Sequence, residues 1–352
     1  MHAKNKYALL LVLPAIALLS CNGNKNNNEG GTSATQTTAT TNASTVIPGF
    51  NADSAYNFIK TQVSFGPRVP GTKAHEQCLN YFLNELKRDS LQVKVQTASA
   101  RVFTGKVFRF ENIIVSAEPK NPARIVLFGH WDSRPFADQD SINPLKPFEA
   151  ADDGGSSAAM LLEIARHLHK YPPPIGVDLV FIDLEDYGQQ GPVDGDYPED
   201  DNSWCLGSQY WAKNLPSNYA PRFGILLDMV GAKNAQFPME GTSMKYAPDI
   251  VKKVWNIADQ LGYGNVFTHD ITGETIDDHL YINQVAGIPT IDIVDYRITH
   301  AGDGNITGGD YPYFHHTHQD NMSVIDTNTL KMVGRVVMTV IYSEKGGNAP
   351  TP

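Results

Sequence analysis

Short apolar runs alternate along the chain with stretches in which apolar side chains recur every three or four residues. The first pattern predicts strands at 93–97, 107–116, 124–128, 177–182, 223–227 and 289–294. The second predicts helices at 53–63, 74–88, 155–169, 248–261 and about 328–342. This alternation favours right-handed crossovers and an α/β fold, a three-layer α/β/α sandwich around a central mixed, mostly parallel twisted sheet.

The first residues have a different pattern. Lys4 and Lys6 precede an apolar stretch at 8–19, which is too short to span a bilayer and is typical of a secretory signal. Leu18-Leu19-Ser20-Cys21 resembles a bacterial lipobox, which implies that Cys21 is lipidated; an ordinary signal peptide with a chance cysteine is the alternative. We therefore expect an exported lipoprotein, anchored only by its lipid, on the periplasmic side of a membrane or at the cell surface.

The composition of the chain after the signal segment indicates a tether followed by a folded domain. Residues 21–45 are almost entirely small and polar, which predicts a flexible tether after the signal segment 1–20. Residues 46–346 contain no second low-complexity break, which predicts one catalytic domain that we expect to be monomeric. The formal net charge of -10 argues against nucleic acid as a partner. Cys78 and Cys205 lack zinc-ligand spacing, and their spacing leaves open whether they pair.

Five potential metal ligands lie beside short apolar runs. Because the carboxyl ends of parallel strands meet at one edge of a sheet, polar side chains at those ends usually face a ligand. The five residues are His130, Asp153, Asp186, Asp228 and His316.

Each local pattern also has a simpler structural explanation. His130-x-Asp132 can be a metal ligand with an aspartate that orients its imidazole, or a buried hydrogen-bonded pair. Asp153 precedes Gly and Ser, as a helix cap would. The adjacent Glu185 and Asp186 would repel each other at a strand end unless a cation binds one and a raised pKa lets the other carry protons.

One imidazole and two carboxylates, with a fourth position left for water or substrate, are typical of a catalytic zinc site. His315, His316 and His318 follow an aromatic stretch and can supply that imidazole. All five ligands together could instead hold two ions bridged by one carboxylate. The residues alone are compatible with either number.

These residues resemble the zinc aminopeptidase superfamily and, within it, the glutaminyl-peptide cyclotransferases. The resemblance runs from about Phe65 to Tyr342 and rests on ordered motifs. They are Gly66-Pro67-Arg68-Val69-Pro70-Gly71, His130-x-Asp132, the Asp153 loop, Glu185-Asp186, Asp228 and His316-Thr317. The narrower likeness to cyclases comes from Leu226-Leu227-Asp228-Met229-Val230-Gly231-Ala232 and Asp277-Asp278-His279.

The resemblance implies a zinc-exopeptidase-like fold and specific roles for the site residues. Asp153, Asp186 and His316 would hold one zinc ion, with His130 outside its ligand set. Glu185 would transfer protons within a carboxylate network that includes Asp228 and Asp277. Two departures affect this assignment, because Asp186 stands where the family usually has Glu, and His315 where cyclases commonly have an aromatic residue.

The expected reaction is cyclisation of an N-terminal glutaminyl residue of a peptide or protein to pyroglutamate, with loss of ammonia. The first alternative is an aminopeptidase in which His130 and Asp228 help bind a second metal ion. A peptide-binding lipoprotein without catalytic activity is the second. Four residues are candidates for the wall of the substrate pocket: Trp131, Trp204, Phe314 and His315.

Overall fold

The computed structural model describes residues 47–88, 91–190, 197–200, 202–302 and 304–346. Its strands are β1 (Gln92–Arg101), β2 (Val107–Ala117), β3 (Arg124–His130), β4 (Gly176–Ile182), β5 (Gly224–Asp228), β6 (Phe237–Met239), β7 (Phe267–Ile271), β8 (Thr290–Val294), β9 (Arg297–His300) and β10 (Ile306–Asp310). Its helices are α1 (Ala52–Ser64), α2 (Lys73–Arg88), α3 (Gly155–Lys170), α4 (Leu206–Lys213), α5 (Gly241–Tyr246), α6 (Pro248–Gln260), α7 (Asp278–Tyr281) and α8 (Thr327–Ser343). A π-helical turn, Ile282–Ala286, follows α7.

Six of these strands form the central sheet, in the order β1-β2-β4-β3-β5-β8. In this sheet β4, β3, β5 and β8 are parallel to one another, whereas β1 and β2 add an antiparallel edge. The two small pairs, β9 with β10 and β6 with β7, lie outside this sheet. The predicted mixed, mostly parallel sheet is therefore confirmed.

Helices cover both faces of the sheet. Along β3, Ile125 and Leu127 belong to the larger core, which includes side chains from α1, α2, α3, α6 and α8. Val126 and Phe128 alternate with them and belong to a second core, which includes Trp211 of α4. Because alternate residues of a strand point to opposite faces, these two cores are the two interfaces of the predicted three-layer sandwich.

The longer predicted elements agree with the structure to within a few residues at each end. The apolar pattern did not predict the short elements α4, α5, α7, β6, β7, β9 and β10. Cys78 and Cys205 are buried free thiols, so they do not pair. Among the described residues, no helix is both long enough and apolar enough to cross a membrane. The predicted signal segment, Cys21 and the tether lie outside the described residues, and the domain boundaries stay a prediction.

Candidate metal centre and catalytic site

The carboxyl ends of three neighbouring parallel strands supply much of the site. His130 is the last residue of β3, Asp228 is the last residue of β5, and Glu185 and Asp186 follow β4 after a short turn. Leu184 adopts a left-handed backbone conformation within that turn, with φ 55°. Such a conformation is uncommon for a branched residue and is found preferentially at functional sites.

A separate loop brings Asp153 to the same edge. The Asp320 carboxylate accepts the backbone N–H groups of Asp152 and Asp153 at 2.8 and 3.0 Å, which fixes this loop before α3. The helix cap is Gly154, which makes no side-chain capping bond, so Asp153 does not cap α3. Gly154 has φ 77°, and a Cβ there would lie 2.9 Å from the His130 ring. Glycine at this position therefore permits the close approach of His130.

Three ligand atoms from separate loops converge at this edge. His316 Nε2 lies 3.5 Å from Asp153 Oδ2 and 3.4 Å from Asp186 Oδ1. Asp153 Oδ2 and both Asp186 oxygens are buried and have no hydrogen-bond donor within the described part of the chain. Two ligand atoms that each lie about 2.05 Å from a tetrahedral zinc ion are about 3.3 Å apart. The unpaired oxygens and their spacing from the imidazole therefore fit a zinc ion.

The other ring nitrogen determines how His316 is presented. His316 Nδ1 is 3.0 Å from Asp138 Oδ1, and the second oxygen of Asp138 accepts a hydrogen bond from Arg134 at 2.6 Å. A carboxylate on one imidazole nitrogen leaves the other directed at the metal position, as in many histidine zinc sites. His318 instead pairs with Asp140 at 2.9 Å and faces away from the site.

Titration of the ligand groups is strongly perturbed. Burial alone would lower the pKa of His316, but the neighbouring Asp186 and Asp138 carboxylates raise it to about 9. Burial and the charge of Asp153 raise the pKa of Asp186 to about 6. A bound divalent cation would displace the imidazole proton and keep both carboxylates ionised.

Glu185 lies beside these ligand residues, but its carboxylate has different partners. Cys205 Sγ is a donor to Glu185 Oε1 at 3.1 Å, and Glu185 Oε2 lies 3.8 Å from His130 Nδ1. The Asp132 carboxylate accepts the backbone N–H groups of Glu185 and Asp186 at 3.1 and 3.2 Å. Burial, together with the charges of Asp186 and Asp277, raises the pKa of Glu185 well above its usual value. A carboxylate whose pKa is raised in this way is a stronger base than an exposed one, which suits proton transfer.

A second set of ligand atoms surrounds His130. Its Nε2 lies 3.0 Å from Asp153 Oδ1 and 3.2 Å from Asp228 Oδ1. These distances fit a hydrogen-bonded histidine, and the same three side chains could also hold a metal ion. Asp153 would then bridge two ions.

Asp277 completes the carboxylate network. It is the N-cap of α7, where its Oδ1 accepts the backbone N–H of Asp278, and its side chain approaches both Glu185 and Asp292. Burial, followed by the charge of Asp228, raises the pKa of Asp277 to about 7. This aspartate is thus both a helix cap and part of the site.

These groups form one wall of a cavity of about 390 Å³, which lies near the lower end of the range for small-ligand pockets. The side chains on its opposite wall are mainly aromatic or acidic. The lining includes Asp153, Glu185, Asp186, Gln190, Trp204, Asp228, Met229, Glu274, Thr275, Ile276, Asp277, Tyr296, Asp310, Tyr311, His315 and His316.

Comparison with known proteins agrees with this arrangement. Residues 112–341 match the model of peptidase family M28. The chain belongs to this family. A solved glutaminyl cyclase of Bacteroides thetaiotaomicron bound to N-acetylhistamine is 46% identical, with a TM-score of 0.79 over 85% of this chain and 100% of that one.

Two further proteins are similar to this chain. A solved Zn-dependent exopeptidase of Parabacteroides distasonis is 44% identical, with a TM-score of 0.79 over 85% of this M28 chain and 100% of the other. A glutaminyl-peptide cyclotransferase of Bothrops jararaca is 23% identical over 299 residues, which cover 78% of this chain and 76% of that protein. The predicted resemblance to zinc aminopeptidases and glutaminyl cyclases is confirmed.

Two sequence-based assignments in this M28 chain need correction. Trp131 is fully buried and stacks on His75 with ring centroids 4.2 Å apart, so it does not line the cavity. Phe314 is buried in the larger core and does not line the cavity either. Asp132 forms an ion pair with His130 Nδ1 at 3.8 Å and also accepts the backbone N–H groups of Glu185 and Asp186, and its role in orienting the imidazole stays a prediction. Trp204 and His315 do line the cavity.

The sequence pattern missed several residues that contact the site. Asp138 follows no strand, and its bond to His316 spans 178 positions of the chain. Cys205 lies in the turn before α4, an element that the apolar pattern did not predict. Tyr296 and Tyr311 belong to the segments around the small β9–β10 sheet. No local signal distinguishes these residues from ordinary loop residues.

Proposed function

We propose that this M28 chain is a zinc-dependent glutaminyl cyclase, which converts N-terminal glutaminyl residues of peptides or proteins to pyroglutamate and releases ammonia. The observation that carries the proposal is a buried glutamate, Glu185, next to three convergent ligand atoms and facing a cavity of about 390 Å³. The 46% sequence identity with two solved bacterial glutaminyl cyclases, over their full length, supports the same function.

Asp153, Asp186 and His316 would hold the ion. When bound, zinc supplies a positive charge that polarises the γ-carboxamide of the substrate and stabilises negative charge on its oxygen. One ion per chain is the number that we favour. His130 then remains a hydrogen-bonded neighbour of Asp153 and Asp228.

The reaction needs little from the protein beyond positioning and proton transfer. The substrate's own α-amine attacks the γ-carbonyl carbon, so a C–N bond closes the ring as the bond to the amide nitrogen breaks. Glu185 accepts the proton that the amine loses and delivers it to the departing nitrogen, which leaves as ammonia. Because the nucleophile is intramolecular, a fixed orientation supplies much of the rate.

The cavity wall would orient the substrate and exclude water. Trp204 stacks on His316 with ring centroids 6.2 Å apart, and Arg134 lies 4.7 Å above the Trp204 ring. His315 stacks between His316 and Tyr311, at 3.8 and 4.4 Å. These stacked rings form an aromatic surface beside the ligand atoms. Such a surface suits the aliphatic part of a glutaminyl side chain.

Product mass tests the proposal. Purified protein is incubated with one peptide that begins with Gln and a matched peptide that begins with Leu, and the products are weighed. The proposal expects ammonia loss from the first peptide and no change in the second. Removal of the first residue from either peptide would contradict it.

An aminopeptidase is the second candidate, because His130, Asp153 and Asp228 form a second group that could hold a metal ion. In that enzyme Glu185 would activate a water molecule, and a residue would be cleaved from the peptide. The Zn-dependent exopeptidase among the relatives supports this alternative.

The proposal extends to localisation on sequence grounds alone. Leu18-Leu19-Ser20-Cys21 supports lipidation of Cys21 and an exported, membrane-anchored enzyme. Metabolic labelling with a radioactive fatty acid should mark the wild-type chain and leave Cys21→Ala unlabelled. Equal labelling of both chains would overturn lipidation at this residue.

A further inference from the structure

Cys205 contacts the proposed proton-transfer residue at two points. Its thiol lies 3.1 Å from Glu185 Oε1, and its backbone N–H donates to the Glu185 carbonyl oxygen at 2.9 Å. The cysteine is fully buried. One carboxylate oxygen of Glu185, the Cys205 Sγ and one carboxylate oxygen of Asp277 all lie within 4.8 Å of one another. The thiol is therefore inside the carboxylate network.

The direction of this hydrogen bond follows from the state of the thiol. Burial, together with the charges of Glu185 and Asp278, raises the pKa of Cys205 well above its usual value. The group thus remains a neutral S–H, which is a weak donor, and a carboxylate oxygen is its acceptor. The thiol donates to one oxygen of Glu185 and leaves the other, Oε2, on the side of His130.

The turn that carries Cys205 is closely packed on the segment that carries Glu185. Cys205 has a left-handed backbone conformation with φ 57°, which is uncommon for a residue with a side chain. A Cβ on Gly207 would overlap the carbonyl oxygen of Asp183, and a Cβ on Gly188 would overlap the Trp204 ring. This close packing at Gly188 and Gly207 therefore fixes the position of the thiol relative to the Glu185 carboxylate.

We propose that Cys205 is a positioning residue for catalysis: its S–H holds Glu185 Oε1, so that Oε2 is presented to the amine of the substrate. The inference rests on the proposed function, because it concerns the proton transfer of that reaction. A buried cysteine that only fills space would pack against apolar atoms. This thiol contacts a carboxylate.

Steady-state kinetics on a Gln-initiated peptide test the inference with Cys205→Ala and Cys205→Ser. Cys205→Ala removes the donor, and we expect kcat to fall about tenfold, the value of one hydrogen bond to a charged group, with KM within about twofold. Cys205→Ser retains a donor, and we expect its kcat to stay within about threefold of wild type. Zinc content should be the same in all three chains.

Cys78 is the matched control, because it is also a fully buried free thiol but lies in α2, away from the cavity. Cys78→Ala should reduce thermal stability and leave kcat at the wild-type value. The inference is overturned if Cys205→Ala keeps wild-type kcat, or if the serine and alanine variants lose activity equally.

A spectroscopic measurement covers the case in which Cys205→Ala does not fold. The infrared S–H stretching band of Cys205, identified by its absence in Cys205→Ser, should shift when Glu185→Gln removes the charged acceptor. An unshifted band would overturn the hydrogen bond. The proposed function fails separately, if wild-type protein releases no ammonia from the Gln peptide; in that case the band still reports the contact.

Discussion

Asp183 and Asp186 are both buried, lie three residues apart in the turn after β4, and each lies near a histidine. They differ in the hydrogen bonds that their carboxylates accept. Asp183 accepts hydrogen bonds from His75 Nε2 and from the backbone N–H groups of Leu184 and Glu111, at 2.7 to 2.8 Å. Asp186 is equally buried, but neither of its oxygens has a donor among the described residues.

This difference distinguishes a structural cluster from the proposed metal centre. A buried carboxylate without donors is costly unless a cation binds it, whereas a fully bonded one stabilises the fold around it. We define the His75–Asp183 pair, with the Glu111 N–H, as the structural cluster. Asp153, Asp186 and His316 are the metal cluster. Substitutions in the first should change stability, and substitutions in the second should change zinc and catalysis.

The largest effect is expected at Glu185, which belongs to neither cluster. Glu185→Gln removes the group that accepts and returns the proton, so turnover of a Gln peptide should fall at least about a thousandfold. Zinc content should remain at the wild-type value, because Glu185 is not a ligand. The exposed Glu149→Gln is the control. A zinc-loaded Glu185→Gln protein with wild-type turnover would contradict the assignment.

His316→Ala should remove the metal as well as the activity. The substitution deletes the only imidazole of the metal cluster, and we expect loss of bound zinc together with at least about a thousandfold loss of kcat/KM. His318→Ala, two residues along, is the matched control and should keep both. Metal analysis after gel filtration measures the effect; wild-type zinc content in His316→Ala would exclude His316 as a ligand.

Asp183→Asn should leave zinc bound and destabilise the fold. It breaks a buried pair and turns an amide toward backbone N–H donors, which costs about 3–5 kcal/mol of unfolding free energy. Asp186→Asn is the same substitution in the metal cluster. In metal-free protein we expect it to cost less than Asp183→Asn, because Asp186 accepts no hydrogen bond among the described residues and its ion pairs with His316 and Arg134 are longer, at 3.4 and 3.7 Å. Urea unfolding of the two variants makes the comparison, and equal destabilisation by both would remove the distinction between the clusters.

Asp138→Asn should weaken the metal cluster without abolishing it. Asp138 orients the His316 ring through Nδ1, and loss of such a partner typically reduces metal affinity 10–100-fold. Asp140→Asn, which removes the partner of His318, is the control. Competition with a zinc chelator measures the affinities, and identical values for both variants would deny Asp138 this role.

The smallest effect is a pH dependence of stability from the structural cluster. Burial would lower the pKa of His75, but Asp183 raises it above its ordinary 6.5. Burial raises the pKa of Asp183 to about 6, so the ion pair is complete only above that pH, and its contribution is lost as the pH rises further through the folded-state pKa of His75. The difference in unfolding free energy between wild type and His75→Gln should shrink as the pH rises. A constant difference would contradict this coupling.

The sequence could predict the half of the site that lies at strand ends. Asp186 and Asp228 stand out because charged side chains lie beside short apolar runs, and the parallel sheet brings the ends of those runs to one edge. The same reasoning predicted the α/β sandwich. Its antiparallel edge depends on how β1 and β2 pair, which the alternating pattern of each strand does not specify.

The remainder of the site depends on contacts that a local pattern does not encode. Asp183 and Asp186 have the same chemistry and almost the same sequence position, and only the donors around them separate their roles. Asp138 comes from a distant loop. Trp131 follows a ligand candidate directly but points into the core, because the next residue along an extended chain faces the other side.

We propose that one zinc ion is bound by Asp153, Asp186 and His316 while His130 and Asp228 remain outside its ligand set. Measurement of zinc per chain by mass spectrometry, for wild type and Asp228→Asn after dialysis, tests it most directly. We expect close to one ion in both proteins. Close to two ions in wild type, falling to one in Asp228→Asn, would contradict it and favour the two-metal peptidase.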